Sequence, residues 1–236
     1  MPLYRYVKYH HHSPMRRSII ISLFFMSVGG SILMWAVWPI LSFHFIASPI
    51  FALVTSPLGN SGKSSSDLVY AQSMTTSTQD YTNANTWFPL KPQKKVQAKV
   101  TAYKLSIPKL QIKNALVVIG GNDLNHEVVH YGGTAFPGEN GNAAIFGHSV
   151  LPQFFDPKNY KTIFSTLPTL LIGDDILLTY DDVTYRYNVE NITVRNPDDL
   201  SMLEQQYDDS YITLVTCVPP GTYWQRLHVR ARLNKI

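Results

Sequence analysis

The chain has 236 residues, an apolar content of 45%, a charged fraction of 15% and a formal net charge of +4 at pH 7. This length accommodates one or two domains, and the low charged fraction indicates a membrane segment beside a water-soluble part. The small excess of Lys and Arg is spread along the sequence, which argues against a nucleic-acid partner. The single cysteine, Cys217, excludes an internal disulfide.

The amino-terminal tail, residues 1–17, is basic and precedes a long apolar run. Residues 18–41 contain no Asp, Glu, Lys or Arg, and about 20 helical residues are enough to cross a hydrocarbon core. We therefore predict a transmembrane anchor over 18–41. Lys63 is the only Lys or Arg from residue 42 to residue 90. The positive-inside tendency then predicts a single-pass cell-membrane protein with a cytoplasmic amino terminus and an extracellular remainder.

Apolar character continues to about residue 58, and residues 42–58 are a candidate second span that would return the remainder to the cytoplasm. This stretch contains His44, Pro49 and Pro57 and leaves almost no loop between two spans, so we favour one crossing. The later "VYAQ" has the small-residue pattern of a signal cleavage site. It lies far beyond the apolar region that a signal peptide uses, which favours an uncleaved anchor.

Residues 59–99 are rich in Ser, Thr, Asn and Gln and poor in aliphatic residues. This composition predicts a polar tether with little capacity to pack.

From about residue 100 to residue 236 the pattern changes to short runs rich in Val, Ile, Tyr and Thr, separated by Gly, Pro, Asp or Asn. Several short strands spaced by turns predict one all-β domain that forms a closed or nearly closed barrel or a sandwich. "DILLTYDDVTYRYNVENITV" is typical of a hairpin around Asp181 and Asp182. One or two short helices are expected, at "NPDDLSMLEQQY" after an Asp cap and at "YKTIFSTLP".

The period-two pattern places the side chains of the last two strand-like runs. In "RLHVRARL" the apolar set must face the core, so Arg226 stands on the outer or cleft face at the start of the strand. Cys217 comes last in "SYITLVTC", at the rim of the domain. The apolar set comprises Leu227, Val229, Ala231 and Leu233, and Cys217 shares its face with Tyr211, Thr213 and Val215.

Three residues are candidates for chemistry on a peptide carbonyl. Such chemistry needs a thiolate, an acid for the departing amine, and positive charge or N–H donors near the developing oxyanion. Cys217 and His148 each end a strand-like run, and Arg226 begins another. Taken singly, a buried cysteine explains Cys217 as well as a nucleophile does. A structural or exposed histidine explains His148 better than a catalytic one, and a solvated strand position explains Arg226 better still.

Four motifs in order resemble those of the sortases, membrane-anchored cysteine transpeptidases of the bacterial cell surface. "TLVTC" matches the family's Thr-Leu-x-Thr-Cys motif, and "RLHVRA" follows it at the family's spacing. "HYGGTAFPGENGNAAIFGH" matches the segment that ends in the catalytic histidine, while "SIPKLQIKNALV" and "LLIGDDILL" resemble an early strand and a mid-domain turn. The resemblance covers about Leu105 to Leu233.

The resemblance implies a closed eight-stranded sortase-type β-barrel and a two-step acyl transfer. Cys217 would attack the Thr–Gly bond of a sorting signal similar to Leu-Pro-x-Thr-Gly, and His148 would protonate the leaving amine. Arg226 would bind the carbonyl oxygen. The implied partners are surface proteins with a carboxy-terminal sorting signal and an amine acceptor on a cell-wall precursor or a pilin lysine.

Other features of the family are weakly matched. The segment before His148 carries only one acid, Glu139, so we predict no metal and no cofactor. Turns and helix starts explain the four Asp-Asp pairs more simply than a shared ion.

Pilin-polymerising sortases often carry an amino-terminal lid, and "NTWFPL" could place Trp87 over the cleft, although we favour a partly ordered tether. Asp156 could orient His148, although a surface turn explains it better.

Two other functions stay open on the sequence. A hydrolytic cysteine peptidase of the same fold would use the same three residues with water as the acceptor. A non-catalytic surface module that binds sorting-signal-like peptides would not need Cys217, His148 and Arg226 together.

Overall fold

The computed structural model describes residues 15–42, 80–87, 91–94 and 100–235. Within these residues lie one α-helix, α1 (Met15–Ser42), and eight strands. The strands are β1 (Ala102–Ile107), β2 (Ile112–Ile119), β3 (Val128–His130), β4 (Gly141–Phe146), β5 (Asp175–Tyr180), β6 (Val183–Arg195), β7 (Ser210–Val218) and β8 (Gln225–Leu233). The candidate second span beyond Ser42, the "VYAQ" stretch and most of the predicted tether lie outside the described residues.

Helix α1 contains a window from Ser18 to Trp38 that is long and apolar enough to cross a membrane. No residue of that window is buried against the rest of the protein. The helix has the length and composition of a membrane anchor or a signal sequence, in agreement with the apolar segment predicted over 18–41. Its orientation in a membrane stays a prediction.

The strands of residues 100–235 close into a barrel in the order β1-β2-β3-β4-β7-β8-β6-β5. Pairs β2/β3 and β4/β7 are parallel, and the other neighbours are antiparallel. Antiparallel pairing of β1 with β5 closes the sheet. The predicted closed eight-stranded barrel is confirmed.

The tight turn between β5 and β6 occurs where the sequence predicts it. Asp181 and Asp182 both have left-handed backbone conformations, with φ of 48° and 61°. Such conformations at both central residues match the twist of a two-residue hairpin. One of the Asp-Asp pairs is therefore explained by turn geometry.

The barrel interior is the main hydrophobic core. On β8, Leu227, Val229 and Ala231 are fully buried inside it, as the period-two pattern predicts. A second buried cluster packs on the outer face of the barrel, over strands β4 and β7. Its members include Trp87, Val129, Ala144, Phe146, Met202, Leu203, Val215 and Cys217.

The predicted short helices are single turns of 3-10 helix. Residues 160–166 form turns that lead into a 3-10 segment at Leu167–Thr169. The other predicted helix is the 3-10 segment Ser201–Leu203. The carboxylate of Asp199 accepts a hydrogen bond from the backbone N–H of Ser201 at 2.8 Å. The residue at the N-cap position is Leu200, so the predicted Asp cap lies one residue before it. Further 3-10 segments are Ala84–Thr86, Pro108–Leu110 and Pro152–Phe154.

Candidate active site

Strands β4, β7 and β8 lie side by side and bring the three candidate residues to one level of the barrel. In the parallel pair β4/β7, Phe146 lies opposite Val215, so His148 and Cys217 each follow two residues later. In the antiparallel pair β7/β8, Cys217 lies directly opposite Arg226. Directly opposite residues point to the same face of a sheet. The register therefore places the cysteine and the arginine on the same face of the barrel and brings the histidine to the end of the neighbouring strand.

Side-chain hydrogen bonds tie the ends of β4 and β7 together. The Thr216 hydroxyl donates to the carbonyl of Gly147 at 2.8 Å, and the Ser149 hydroxyl donates to the carbonyl of Cys217 at 2.7 Å. Gly147 also packs against the ring of Phe164, and a Cβ added there would lie 2.5 Å from a ring carbon. These contacts explain the local sequences "FGHS" and "TC" and fix the backbone that carries His148 and Cys217.

The Arg226 guanidinium is buried, with 1% of the residue exposed. One of its terminal nitrogens, Nη1, donates to the carbonyls of Tyr223 and Gln225, both at a long 3.3 Å. The buried Nε has no hydrogen-bond partner among the described residues. A buried N–H without a partner is costly unless a ligand binds it. Arg226 thus holds a free donor beside the thiol.

A segment that precedes the barrel, residues 80–87, covers this site, and we call it the lid segment. Its Trp87 side chain is buried, with 3% exposed, in the outer cluster that contains Cys217. The indole centre lies 4.7 Å from the guanidinium carbon of Arg226 and 6.3 Å from the centre of the His148 ring. Trp87 therefore contacts the groups on both sides of the thiol.

Backbone hydrogen bonds hold the lid segment on the connection between β2 and β3. The Leu124 N–H donates to the carbonyl of Thr82 at 2.9 Å, and the Ala84 N–H donates to the carbonyl of Asn122 at 3.0 Å. Asn83 and Asp123 form an isolated antiparallel bridge at the same place. The segment is paired with the barrel like a short edge strand.

Aromatic contacts fix the position of Trp87 within the lid segment. The indole Nε1–H donates to the carbonyl of Tyr81 at 2.8 Å. The Tyr81 ring stacks on Tyr223, in the loop before β8, with ring centres 4.1 Å apart and nearly parallel planes. The lid segment therefore bridges the β2–β3 connection and the β7–β8 loop across the mouth of the site.

A second stretch of the predicted tether, residues 91–94, also docks on the barrel. The Gln93 side chain donates to the carbonyl of Gly121 at 2.9 Å and accepts from the N–H of Gly132 at 2.8 Å. The described parts of 59–99 therefore pack against the barrel. The tether prediction for the other residues of that range falls outside the described chain.

Burial changes the protonation of both candidate acid–base groups. Burial raises the pKa of the Cys217 thiol to about 11, against an opposing attraction from Arg226. Burial likewise lowers the pKa of the His148 imidazole, while the carboxylates of Asp123 and Asp80 raise it by a smaller amount. With the lid segment in place, the pair is a neutral thiol and a neutral imidazole at pH 7.

Among the described residues, the carboxylates that act on His148 are those of Asp80 and Asp123, and neither was expected from the sequence. Asp156 lies in a turn, where its side chain accepts from the N–H of Lys158 at 2.9 Å. The only sequence signal for the lid segment is the large aromatic Trp87 within a polar stretch.

Among the described residues, no three His, Cys, Asp or Glu side chains lie close enough to hold a metal ion.

Comparison with known proteins gives the family. A family model described as the sortase domain matches residues 105–234. The chain belongs to the sortase family. It is 29% identical over 118 residues to sortase D of Bacillus subtilis, a match that spans 49% of the chain and 53% of that protein. The chain thus matches about half the length of this curated relative.

Solved sortase structures share the fold. A sortase D5 transpeptidase from Clostridium perfringens is 27% identical, with a TM-score of 0.50 over 60% of this chain and 83% of its own. Sortase C-1 from Actinomyces oris is 26% identical, with a TM-score of 0.51 over 58% and 76%. A lid mutant of sortase A from Corynebacterium diphtheriae is 29% identical, with a TM-score of 0.51 over 59% and 74%.

Proposed function

We propose that this sortase-family protein is a cysteine transpeptidase that acts on a sorting signal similar to Leu-Pro-x-Thr-Gly. The observation that carries the proposal is the register of three neighbouring strands. Cys217 lies directly opposite Arg226, and His148 follows the neighbouring strand β4 at the same level. Acyl transfer requires a nucleophile, an acid and a cationic hydrogen-bond donor, and this face of the barrel carries a candidate for each.

In the first step, the Cys217 thiolate attacks the carbonyl carbon of the Thr–Gly bond. A sulfur–carbon bond forms, the carbon–nitrogen bond breaks, and the His148 imidazolium gives its proton to the departing amine. In the second step, an acceptor amine attacks the thioester carbon, so that a carbon–nitrogen bond forms and the carbon–sulfur bond breaks to release the Cys217 thiolate. The amine gives its proton to the neutral imidazole. The unpartnered Nε–H of Arg226 binds the carbonyl oxygen as negative charge develops on it.

The lid segment must leave the site before a substrate binds. With the lid in place, Cys217 is 1% exposed and its thiol is protonated at neutral pH. The lid mutant of the Corynebacterium diphtheriae enzyme shows that a related protein has a segment so named. Opening returns water to the thiol and the imidazole, which favours the charged thiolate–imidazolium pair.

The remaining elements of the proposal concern location and partners. Helix α1 anchors the protein in the cell membrane with its amino terminus in the cytoplasm and the barrel outside. The acyl donors are surface proteins that carry a carboxy-terminal sorting signal. The acceptor is an amine on a cell-wall precursor or a pilin lysine.

Peptide cleavage with product analysis tests this function. The full-length protein in detergent micelles is incubated with fluorogenic peptides of the Leu-Pro-x-Thr-Gly type, with and without an amine acceptor, beside Cys217→Ala. We expect Cys217-dependent cleavage and a ligated product when the amine is present. Cleavage without any ligation would favour the hydrolytic peptidase, and absence of cleavage across the panel would favour the binding module.

A further inference from the structure

Two loops at the rim of the site expose large aromatic side chains. The loop between β4 and β5 carries Phe154, which is 59% exposed. The loop between β7 and β8 carries Tyr223 and Trp224, which are 50% and 60% exposed. Neighbouring exposed apolar groups on a folded domain mark an interaction surface. These side chains are therefore candidates for contact with a partner.

The two loops lie against each other. Gly221 of the β7–β8 loop packs on Leu151 of the β4–β5 loop, and a Cβ added at Gly221 would lie 3.2 Å from the Leu151 side chain. The N–H of Phe154 donates to the carbonyl of Leu151 at 2.9 Å, so Phe154 belongs to the turn that makes this contact. Tyr223 follows Gly221 by two residues. The exposed aromatic side chains thus belong to one continuous rim.

The rim is also basic. Residues 147–162 contain Lys158 and Lys161 against one acid, Asp156, and the β7–β8 loop contains no charged residue. Both lysines are exposed. Burial is the main cause that lowers the pKa of His148, and the charge of Lys161 adds to it, so Lys161 lies near the mouth of the site. We call Phe154, Lys158, Lys161, Tyr223 and Trp224 together the rim surface.

Helix α1 meets the rim surface at Phe154. The Phe154 ring packs edge-to-face against the ring of Trp35, with ring centres 6.4 Å apart. Trp35 lies three residues before Trp38, where the apolar window of α1 ends. Trp side chains near the end of a membrane span lie at the membrane–water interface. The contact therefore puts Phe154 at the level of the membrane surface.

We propose that the rim surface rests on the membrane that holds α1, with its aromatic side chains among the lipid headgroups and its lysines beside anionic lipids. The inference rests on the proposed anchoring by α1. Aromatic side chains with polar edges and exposed lysines are the groups that an anionic membrane surface binds. A protein partner would have to displace Phe154 from Trp35 and from the interface where α1 holds it. The mouth of the site then lies beside peptides that the same membrane carries.

Quenching of a fluorophore by lipids tests the contact without any measurement of activity. Cys217→Ala is combined with Phe154→Cys or, as the control, with Val183→Cys, and the new thiol is labelled. Val183 is also exposed, at 50%. It lies twelve residues along β6 from Arg195, which pairs with Arg226 at the site. At about 3.3 Å per residue, Val183 is at the far end of the barrel.

The labelled full-length proteins are placed in vesicles of phosphatidylglycerol and phosphatidylcholine that carry a headgroup nitroxide in both leaflets. We expect quenching at position 154 to be at least about twofold stronger than at position 183, and to weaken in vesicles of phosphatidylcholine alone. Equal quenching at the two positions overturns the inference and leaves the rim surface to a protein partner. Quenching at position 154 that is as strong without anionic lipid overturns the role of the lysines.

Cleavage of a membrane-held peptide tests the consequence for the reaction, and this readout rests on the proposed function. The double variant Phe154→Ser/Lys158→Glu is compared with the wild type in the same vesicles. The substrates are a Leu-Pro-x-Thr-Gly peptide joined to a lipid and the same peptide free in solution. We expect kcat/KM to fall by about tenfold for the lipid-joined peptide and to stay within about twofold for the free peptide, because only the former gains from a mouth held beside it.

Val183→Ser is the matched control and should leave the cleavage of both peptides unchanged. An equal loss for the two peptides in the double variant, or no loss for either, contradicts the placement of the mouth at the membrane. Absence of Cys217-dependent cleavage of both peptides by the wild type refutes the proposed function. The quenching measurement still decides the membrane contact in that case.

Discussion

Trp87 of the lid segment lies over the guanidinium of Arg226, with its indole centre 4.7 Å from the guanidinium carbon. Arg226 is the residue directly opposite Cys217 in the β7/β8 pair. A cation over an indole face is a favourable contact, and burial strengthens it. The same contact that stabilises the lid segment also covers the guanidinium whose free Nε–H the proposed reaction needs. The described arrangement is therefore the closed form of the site.

Removal of the indole is expected to open the site. Trp87→Ala deletes the contact with Arg226 and with the His148 ring, so Cys217 becomes accessible to small reagents. We expect the rate of Cys217 alkylation by iodoacetamide at pH 7 to rise by at least about tenfold. Trp38→Ala, in helix α1, is the matched control and should leave the rate unchanged. Equal rates in Trp87→Ala and the wild type would show that the lid segment does not protect the thiol.

The pH dependence of alkylation should differ between the closed and open forms. Burial in the closed form raises the thiol pKa to about 11, so the closed form favours the protonated thiol. Because its pKa is raised on closure, the thiol stabilises the closed form relative to the open form at pH values below the thiol pKa of the open form. This stabilisation is lost as pH rises toward about 11.

The imidazole of His148 affects closure with the opposite pH dependence, because burial lowers its pKa. The neutral imidazole therefore stabilises the closed form at pH values above the His148 pKa of the open form. This stabilisation is lost as pH falls below that pKa. We expect the wild-type alkylation profile to have its midpoint at a higher pH than that of Trp87→Ala. Overlapping profiles would contradict the role of the lid segment in thiol burial.

A change of the cation at Arg226 is expected to abolish most of the activity. Arg226→Lys keeps the charge but loses the planar set of donors, including the free Nε–H. We expect kcat/KM for peptide cleavage to fall by about 100-fold or more. Arg232→Lys, six residues further along the same strand, is the matched control and should stay within about twofold, because a lysine keeps the charge that pairs with Asp209. Near-wild-type cleavage by Arg226→Lys would remove Arg226 from the mechanism.

Gly147 tests the packing that sets the end of β4. A Cβ at this position would lie 2.5 Å from a ring carbon of the buried Phe164. Gly147→Ala is expected to lower the free energy of unfolding of the barrel by about 1–3 kcal/mol, measured by thermal denaturation of the full-length protein. Gly29→Ala, where no atom lies within 4 Å of the new Cβ, should leave the transition unchanged. An unaffected Gly147→Ala would show that Phe164 can move aside at no cost.

The sequence was sufficient to predict the strands that carry the candidate residues. Alternation along β8 separates Leu227 and Val229 from Arg226, because a strand has only two faces and one must be buried. The direct pairing of Arg226 with Cys217 could not be predicted from alternation alone, since it depends on the register of two strands. The closed barrel of eight strands came from the family resemblance, since the strand-like runs alone left a barrel and a sandwich open.

The lid segment was not favoured by the sequence, and the reason is physical. Its backbone pairs with residues 122–124, about forty positions along the chain, and such long-range pairing leaves no local pattern. A polar composition predicts little packing, yet one buried Trp87 and the Tyr81–Tyr223 stack fix this segment.

The most direct measurement of the central claim is mass spectrometry of the full-length protein after brief exposure to a sorting-signal peptide. We expect a thioester adduct, with the mass of the peptide fragment that ends in Thr, on Cys217 and on no other residue. Addition of an amine should discharge the adduct into a ligated product. Peptide cleavage without an adduct on Cys217, or unchanged cleavage by Cys217→Ala, would contradict the account.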